Sequence, residues 1–466
     1  MRHLEEIGAR LPPDVLAICR TLKAANKRGW VVGGCVRDLL RGQVPNDWDV
    51  ATDARPEEVM KLFRKVIPTG IEHGTVTVMI KGAAYEVTTL RGEGAYADGR
   101  RPDRVHFLQD IEQDLARRDF TFNAIAWEPL TARLVDPFGG RDDLAAKLLR
   151  AVGDPCERFY EDGLRILRAA RFAATLQCDI DAPTLAAMAA TRSHNTFRKV
   201  SAERIHDEWL KALGAAKPSV AFALMQRVGL LPLIDKRLHD MVGCVAPLCS
   251  PSAPSQDVWA VGLALMDDVG EDRMLRLAAL LHGIGWPPAE GSEDNKKNML
   301  VVAERGAQRC DALLRKLKFS NAHRQRCVQL VRHHRIALGP APEDAAVRRW
   351  VRAVSAELAL DIVALARAHG RHGQLAGCGS EGVVGLTRLD EQLRRLLRAG
   401  FALTSRDLDI DGAALMAALQ LRPGRHVGQL LAALLEQVTD EPALNRKEAL
   451  LARAKSLVDS GEVTVR

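Results

Sequence analysis

The spacing of apolar residues divides the chain into a front part with mixed patterns and a longer helical remainder. Residues 29–32 form a short apolar run typical of a buried strand, and Val36, Leu39 and Leu40 then recur at helical spacing. Strand-like and helix-like stretches alternate over roughly the first 150 residues, and later apolar positions follow helical periods almost throughout. The pattern therefore predicts an α+β protein with a small sheet near its N-terminus.

A glycine pair falls at the first predicted strand-to-helix turn. Gly33 and Gly34 follow the apolar run, and Arg37 comes three residues later. Backbone N–H groups at such a turn can approach a triphosphate closely, while the helix start and the guanidinium attract negative charge. We expect Gly34 and Arg37 to contact the phosphates of a nucleotide.

Two aspartates about one helix length further on suggest a metal site. Asp47 and Asp49 alternate with Trp48, so in a strand both carboxylates would lie on one face. Mg²⁺ prefers hard oxygen ligands, and two ions between carboxylates can activate a hydroxyl and stabilise a departing pyrophosphate. Glu86 lies in another strand-like stretch and is a candidate third catalytic carboxylate. An isolated pair of this kind is typical of a solvated turn, but the preceding glycine turn favours Asp47 and Asp49 as magnesium ligands.

Charged residues at every third position indicate a base-reading surface. Asp162, Arg165, Arg168 and Arg171 would form one slanting stripe on a helix, with Asp162 beside Arg165. A carboxylate next to a guanidinium complements the amino group and ring nitrogen that cytosine and adenine share. Uracil and guanine present the reverse order and would leave buried groups unpaired. The alternative is a solvated amphipathic helix face.

Composition agrees with an intracellular protein that binds a polyanion. The 466 residues carry a net charge of +7 with a pI near 9.0, which fits nucleic acid without identifying it. Nine cysteines, an odd count without a C-x-x-C, favour reduced thiols in the cytoplasm over disulfides or a zinc site. No apolar run is long enough to span a membrane, so we expect no membrane partner.

Ordered sequence blocks over roughly 200 residues resemble the class II tRNA nucleotidyltransferase (CCA-adding) and bacterial poly(A) polymerase family. Any one block is a weak signal, but their order is specific. The blocks are the glycine turn with the aspartate pair, 117–124 (RRDFTFNA), 136–140 (DPFGG) with 150–154, 161–172 (EDGLRILRAARF) and 200–205 (VSAERI).

The resemblance implies a domain order and roles for several residues. It places Arg118 beside the nucleotide and makes Asp162 with Arg165 the protein template for the base, while Arg168 and Arg171 would face the phosphates or the base. The implied substrates are tRNA, CTP and ATP. The implied domains are a polymerase β-like nucleotidyltransferase head at 1–150, a helical neck at 151–245, a helical degenerate HD-like domain at 256–370 and a helical body and tail that bind tRNA at 371–466.

Smaller features favour one branch of the family. Residues 68–78 resemble the hairpin of CCA-adding enzymes more than the corresponding stretch of poly(A) polymerases. Residues 91–102 are rich in glycine and charge, and they resemble the flexible loop of enzymes that add C as well as A. We expect complete CCA addition, with poly(A) synthesis and addition of C only or A only as alternatives. The oligomeric state is left open.

A region further along resembles an HD phosphohydrolase motif but departs from it. Residues 276–286 contain His282, yet Gly283 stands where the metal-binding aspartate would be, and glycine has no side-chain oxygen. We therefore interpret this region as structural and His333 and His334 as remnants of ligands. A phosphohydrolase and an inactive RNA-binding protein are the alternatives from other functional classes. The first is disfavoured by Gly283, and the second by the intact carboxylates, arginines and glycine turn.

Two further segments carry predictions of their own. Basic side chains on the predicted neck helices, Arg198, Lys199, Arg204 and Lys211, are expected to face RNA. Residues 247–255 are rich in proline and serine and predict a linker.

Overall fold

The structure, a computed structural model, describes residue 8 and residues 10–93, 105–246, 256–286, 299–334, 342–372 and 379–463. The chain divides into two compact units, Met1–His239 and Asp240–Arg466. The four-domain division stays a prediction, and the predicted linker at 247–255 lies outside the described residues.

A mixed seven-stranded sheet lies in the first unit and confirms the predicted α+β class. Its order is β3-β4-β5-β2-β1-β8-β9; β2 and β5 are parallel, and the other neighbours are antiparallel. Three further strand pairs, β6 with β7, β10 with β11 and, in the second unit, β12 with β13, lie outside it. The strands are β1 (Gly29–Val32), β2 (Asp49–Thr52), β3 (Val66–Gly70), β4 (Thr75–Ile80), β5 (Ala83–Thr89), β6 (Arg91–Glu93), β7 (Val105–Phe107), β8 (Ala126–Glu128), β9 (Arg133–Val135), β10 (Leu148–Leu149), β11 (Asp179–Ile180), β12 (Val245–Ala246) and β13 (Gln256–Asp257).

Alternation along the strands produces two apolar layers. Val31 and Val50 point into a core that includes Leu22 from the first helix, whereas Trp30 and Ala51 point into a second core on the opposite face. Polar residues of the site occupy the part of this second face that the core leaves open. The predicted strand at 29–32 is confirmed, and all its residues are buried.

Helices make up the rest of the first unit. Gly163 joins two of them at a tight corner, where an added Cβ would lie 2.5 Å from the backbone of Phe197. The helices are α1 (Pro13–Ala24), α2 (Gly34–Leu40), α3 (Pro56–Leu62), α4 (Ile111–Ala116), α5 (Gly140–Ala145), α6 (Pro155–Glu161), α7 (Leu164–Leu176), α8 (Ala182–Met188), α9 (Thr191–Phe197), α10 (Ala202–Leu213), α11 (Ser219–Arg227), α12 (Leu231–Ile234) and α13 (Lys236–His239).

The second unit is almost entirely helical, as the apolar periods predict. Leu386, Leu389, Leu393 and Leu396 form a buried stripe along one of its longest helices. Within the described residues, none of the helices combines the length and the apolar character needed to cross a membrane. The helices are α14 (Val258–Asp268), α15 (Arg273–Leu281), α16 (Met299–Lys316), α17 (Asn321–His333), α18 (Asp344–Val354), α19 (Ala356–Arg371), α20 (Gly379–Ala399), α21 (Gly412–Leu419), α22 (Arg425–Asp440) and α23 (Lys447–Asp459).

The predicted loop at 91–102 differs at its start. Arg91–Glu93 is strand β6, which pairs antiparallel with β7 at residues 105–107. The backbone hydrogen bonds of this pair outweigh the weak strand preference of the glycine-rich sequence. The remainder of this predicted loop, from 94 onward, lies outside the described residues.

Candidate active site

The glycine turn connects β1 to α2, and its geometry singles out Gly33. This residue has φ +75°, and an added Cβ would lie only 2.8 Å from Nη1 of Arg118. Gly34 is the first residue of α2, and a Cβ there would make an ordinary 3.5 Å contact with Arg37. The steric demand for glycine at this turn therefore falls on Gly33, although Gly34 also borders the site.

Arg37 projects from α2 into the site and is oriented by two polar partners. Its Nη1 donates to Oδ1 of Asn123 at 2.8 Å, and its Nε donates to Asp38 at 3.0 Å. Asn123 in turn donates from Nδ2 to Asp119 at 3.0 Å. Arg37 is thereby held beside the glycine turn, as the predicted phosphate-binding role requires.

Asp49 and Glu86 lie directly opposite each other on the parallel strands β2 and β5. Glu86 is thus on a neighbouring strand, as predicted. Asp47, however, is not in the strand: β2 begins at Asp49, and Asp47 lies in the preceding exposed bend. The pairing of β2 with β1 cannot extend further back, because β1 ends at Val32 and leads into the glycine turn and α2.

The three carboxylates still share one electrostatic environment. Burial raises the pKa of Asp49, the charges of Glu86 and Asp47 raise it further, and Arg118 opposes them. A group of acids that destabilise one another's charge is an arrangement that a bound cation relieves.

The carboxylates fit a cation that takes its remaining ligands from water and from a bound substrate. In the parts of the chain that the structure describes, no group of three or more His, Cys, Asp or Glu side chains is placed to hold a metal ion. Mg²⁺ is usually bound by one or two carboxylates together with waters and substrate phosphates. Asp47 and Asp49, two carboxylates beside the glycine turn, are of the type and number that this requires.

Asp162 does not lie on the helix that carries the three arginines, which corrects the predicted stripe. Helix α7 begins at Leu164, whose N–H donates to Oδ1 of Asp162 at 3.0 Å. Asp162 therefore lies in the turn between α6 and α7, directly before Gly163. Its carboxylate accepts from Nη1 and Nη2 of Arg204 at 3.1 and 2.6 Å, rather than lying against Arg165.

Arg165 is buried against other acceptors. Its guanidinium donates to Glu161 at 2.6 Å, to the Arg158 carbonyl at 3.0 Å and to the Arg117 carbonyl at 2.9 Å. Arg165 and Asp162 both line the same cavity, and the backbone N–H of Arg165 donates to the carbonyl of Asp162 at 3.0 Å.

Arg168 and Arg171 do share one face of α7, as predicted. Arg168 donates from Nε to Asp119 at 2.8 Å, and Arg171 donates from Nε to Glu208 at 2.5 Å. The guanidinium of Arg171 also lies over the ring of Phe172, 3.7 Å from its centroid.

Asp119 anchors this cation network. Burial by itself would raise the pKa of Asp119, but the Arg168 guanidinium and the hydrogen bond from Asn123 hold it at about 2. Asp119 therefore stays ionised and keeps Arg168 oriented toward the cavity.

These elements enclose a cavity of about 860 Å³ whose lining is strongly basic. Nine basic and five acidic side chains line it. The cavity is large enough for a nucleoside triphosphate, and the excess of cations suits its charge. All ten predicted site residues line this one cavity: Gly34, Arg37, Asp47, Asp49, Glu86, Arg118, Asp162, Arg165, Arg168 and Arg171.

Several lining or supporting residues were not among the predicted ones. Asn123 and Asp119 belong to a recognised sequence block, so the block was a signal for them. Glu208 follows Arg204 by one helical turn on α10, and its burial could be inferred only from the fold. Arg204 and Lys211 line the cavity instead of serving only as an outer RNA-facing surface.

Gly283 in the second unit is closely packed. An added Cβ there would overlap the side chain of Val258, so the position cannot accept an aspartate without rearrangement. The rings of His282, His334 and His369 are buried near one another, with centroids 4.6 to 5.7 Å apart. These histidines are not among any metal-ligand groups found in the described residues.

Sequence comparison identifies the family. Residues 29–150 match the "Poly A polymerase head domain", residues 179–240 match the "Probable RNA and SrmB- binding site of polymerase A", and residues 297–454 match "tRNA nucleotidyltransferase domain 2 putative". The CCA-adding enzyme of Enterococcus faecalis is 32% identical over 453 residues, which covers 96% of this chain and 97% of that protein. The chain belongs to the CCA-adding enzyme family.

Other members agree with this assignment. The CCA-adding enzyme of Lactobacillus helveticus is 47% identical over 203 residues, which is 43% of this chain and 50% of that protein. The Bacillus stearothermophilus CCA-adding enzyme in complex with CTP has a TM-score of 0.66 and 28% identity, and it covers 97% of this chain and 99% of that one. Membership in this family indicates a nucleotidyltransferase that depends on a divalent metal.

Proposed function

We propose that this protein adds C and A residues from CTP and ATP to the 3′ end of tRNA and releases pyrophosphate. The observation that carries the proposal is the cavity of the first unit, where the carboxylates, the glycine turn and the charged residues of α7 meet. The CCA-adding enzyme of Enterococcus faecalis, a relative of this chain, aligns with 96% of this chain and over 97% of its own length.

The proposed metal is Mg²⁺, held by Asp47 and Asp49 with Glu86 as the third catalytic carboxylate. The raised pKa of Asp49 beside Glu86 and Asp47 supports this, since crowded carboxylates favour a cation. When bound, the metal would lower the charge repulsion between the attacking hydroxyl and the phosphates.

The reaction itself is a displacement at phosphorus. The 3′-hydroxyl of the tRNA gives up its proton to solvent, its oxygen bonds to the α-phosphate of CTP or ATP, and the bond between that phosphate and the departing pyrophosphate breaks. The acids orient the hydroxyl, while Arg37 and Arg118 beside the glycine turn hold the triphosphate. Arg168 and Arg171 add positive charge from α7.

Base selection is assigned to Asp162 and Arg165. A carboxylate has about four acceptor sites, and the hydrogen bonds from Arg204 and from the Leu164 N–H use three of those of Asp162, so it can still accept from the amino group of cytosine or adenine. Arg165 supplies donors from α7 toward the same cavity. The contacts that hold both groups are consistent with a rigid template made of protein.

Stepwise extension tests this function and its nearest alternatives. Purified protein would be incubated with tRNA transcripts that end in the discriminator base, C or CC, each with one labelled nucleotide. Addition of C, C and A in turn supports CCA synthesis. Long A tracts on arbitrary RNA would instead indicate a poly(A) polymerase, and a product that stops at CC or requires CC would indicate division of labour.

A phosphohydrolase activity is disfavoured by the second unit. Gly283 is packed against Val258 and offers no oxygen ligand. Hydrolysis of 2′,3′-cyclic nucleotides to 2′- or 3′-monophosphates would contradict this. We also propose a cytoplasmic location, which the free state of all cysteines in the described ranges supports.

A further inference from the structure

The order of the strands defines two sides of the active-site cavity, one near β1 and one near β4. In the order β4-β5-β2-β1, Glu86 and Asp49 occupy the middle strands, and the glycine turn follows β1. Thr75 on β4 and Thr88 on β5 also line the cavity, on the side away from that turn. Three strand spacings separate β1 from β4, which is roughly 14 Å.

Thr75 and Thr88 form a hydroxyl pair on this second side. They are direct cross-strand partners, and their Oγ1 atoms lie 3.0 Å apart. Both side chains are partly exposed, and both share a sheet face with Glu86, because side chains alternate along β5. When one hydroxyl donates to the other, the pair keeps a further donor and several acceptor sites.

The chemistry of the reaction assigns the two sides. In phosphoryl transfer the attacking and leaving oxygens are roughly in line across the phosphorus. Arg37 and the glycine turn lie on the β1 side, so the departing pyrophosphate belongs there. The attacking 3′-hydroxyl must then approach from the β4 side, where Thr75 and Thr88 lie.

We propose that the Thr75–Thr88 hydroxyl pair seats the terminal ribose of the acceptor RNA by hydrogen bonding to its 2′-hydroxyl. This inference rests on the proposed nucleotidyl transfer and adds the position of the acceptor end. A 2′-hydroxyl is both donor and acceptor, as is the threonine pair, and it distinguishes RNA from DNA. Arg91, which follows β5 and also lines the cavity, supplies positive charge for the adjoining phosphate.

The test replaces both hydroxyls without changing side-chain shape. The Thr75→Val/Thr88→Val variant should raise the KM for tRNA roughly tenfold, as expected for lost neutral hydrogen bonds, while the KM for CTP stays within about twofold. Thr88→Ser keeps a hydroxyl and should retain the wild-type KM for tRNA. The matched control is Thr69→Val, because Thr69 forms a similar hydroxyl pair with Thr77 at 2.9 Å but does not line the cavity.

A second measurement separates binding of the ribose from a structural effect. Transcripts whose terminal nucleotide lacks the 2′-hydroxyl should be poorer substrates for the wild-type enzyme, and the double valine variant should lose most of that discrimination. If both proteins discriminate equally between transcripts with and without the terminal 2′-hydroxyl, or if only the KM for CTP changes, the proposed contact of Thr75 and Thr88 with the ribose is wrong. The proposed nucleotidyl transfer would still stand. If the wild-type enzyme extends no tRNA, the proposed function fails, and this inference fails with it.

Discussion

Arg204 holds the carboxylate of Asp162 in the lining of the active-site cavity, with Nη1 and Nη2 at 3.1 and 2.6 Å from its two oxygens. Helix α10 supplies the arginine, and the turn between α6 and α7 supplies the acid. Such a forked contact fixes the plane of a carboxylate. Base selection should therefore depend on Arg204 through the orientation of Asp162.

We expect Arg204→Ala to lower kcat/KM for CTP about tenfold or more and to raise the share of UTP and GTP incorporated, because Asp162 loses its orienting partner. Single-nucleotide addition with each labelled nucleotide measures both effects. Arg192→Ala is the matched control, since its ion pair with Glu157 is half exposed and contributes little. Unchanged nucleotide selection in Arg204→Ala would refute the orienting role.

Removal of the acid itself gives a separate prediction. Asp162→Ala should reduce kcat/KM for CTP and ATP by roughly 10- to 100-fold, the usual cost of a lost hydrogen bond to a charged group. Incorporation of UTP and GTP should rise relative to CTP. Uracil and guanine place a carbonyl oxygen where cytosine and adenine place an amino group, and the variant no longer has a carboxylate that repels this oxygen. Competition assays with mixed nucleotides measure the ratio, and Asp142→Ala, an exposed acid on α5, is the control. Retained preference for CTP and ATP would exclude Asp162 as the base reader.

The metal assignment predicts a large loss of turnover. Asp47→Ala and Asp49→Asn should each lower kcat about 10³-fold, since the cation supplies several kcal/mol of charge stabilisation. Chelation with EDTA should stop the wild-type reaction, and added Mg²⁺ should restore it. Initial rates at saturating CTP and tRNA measure the loss, with Glu72→Gln, an exposed acid in the same unit, as the control. A fully active Asp47→Ala enzyme would contradict the assignment.

Local patterns explain which parts of this site could be predicted from sequence. The strand before Gly33 and the helix after it follow from short-range apolar spacing, and Glu86 could be assigned to a strand in the same way. The hydrogen-bond partner of Asp162 could not be predicted from sequence, because Arg204 lies 42 residues away and contacts Asp162 only through tertiary packing. A three-residue period also suggested that Asp162 belongs to α7, but the Gly163 corner interrupts the helix there.

The same limit applies to the hydrogen bond that orients Arg37. Asn123 lies 86 residues away, and its contact depends on how β1 and β8 pair in the sheet. Sequence periodicity predicts which residues share a face but not which faces meet. The resemblance to a known family brought the distant blocks together without predicting their hydrogen bonds.

The glycine turn permits a comparison between two glycines that both have a positive φ, Gly33 with ψ −131° and Gly139 with ψ 26°. Gly33→Ala should destabilise the fold by about 1–3 kcal/mol, because φ +75° with ψ −131° lies outside the left-handed helical region, and it should also displace Arg118, which lies 2.8 Å from the added Cβ. We therefore expect a severalfold rise in the KM for CTP. Gly139→Ala is the control, because Gly139 has φ +67° but open space around its Cβ position. Urea titration should show a loss of stability in both variants that is larger for Gly33→Ala, and initial rates should show a kinetic loss in Gly33→Ala alone; equal KM values would refute the contact with Arg118.

The ionised state of Asp119 predicts a defined loss of stability in acid. Its pKa is about 2 in the folded protein against an ordinary value of 3.8, so its charge stabilises the folded state above pH 4 by about 2 kcal/mol. Because the folded-state pKa is the lower one, this contribution falls as pH drops from 4 toward 2 and is about half lost at pH 3. The free energy of unfolding of wild type minus that of Asp119→Asn, from urea titrations between pH 6 and pH 3, should shrink accordingly. A difference that stays constant with pH would mean that Asp119 is not held ionised by Arg168.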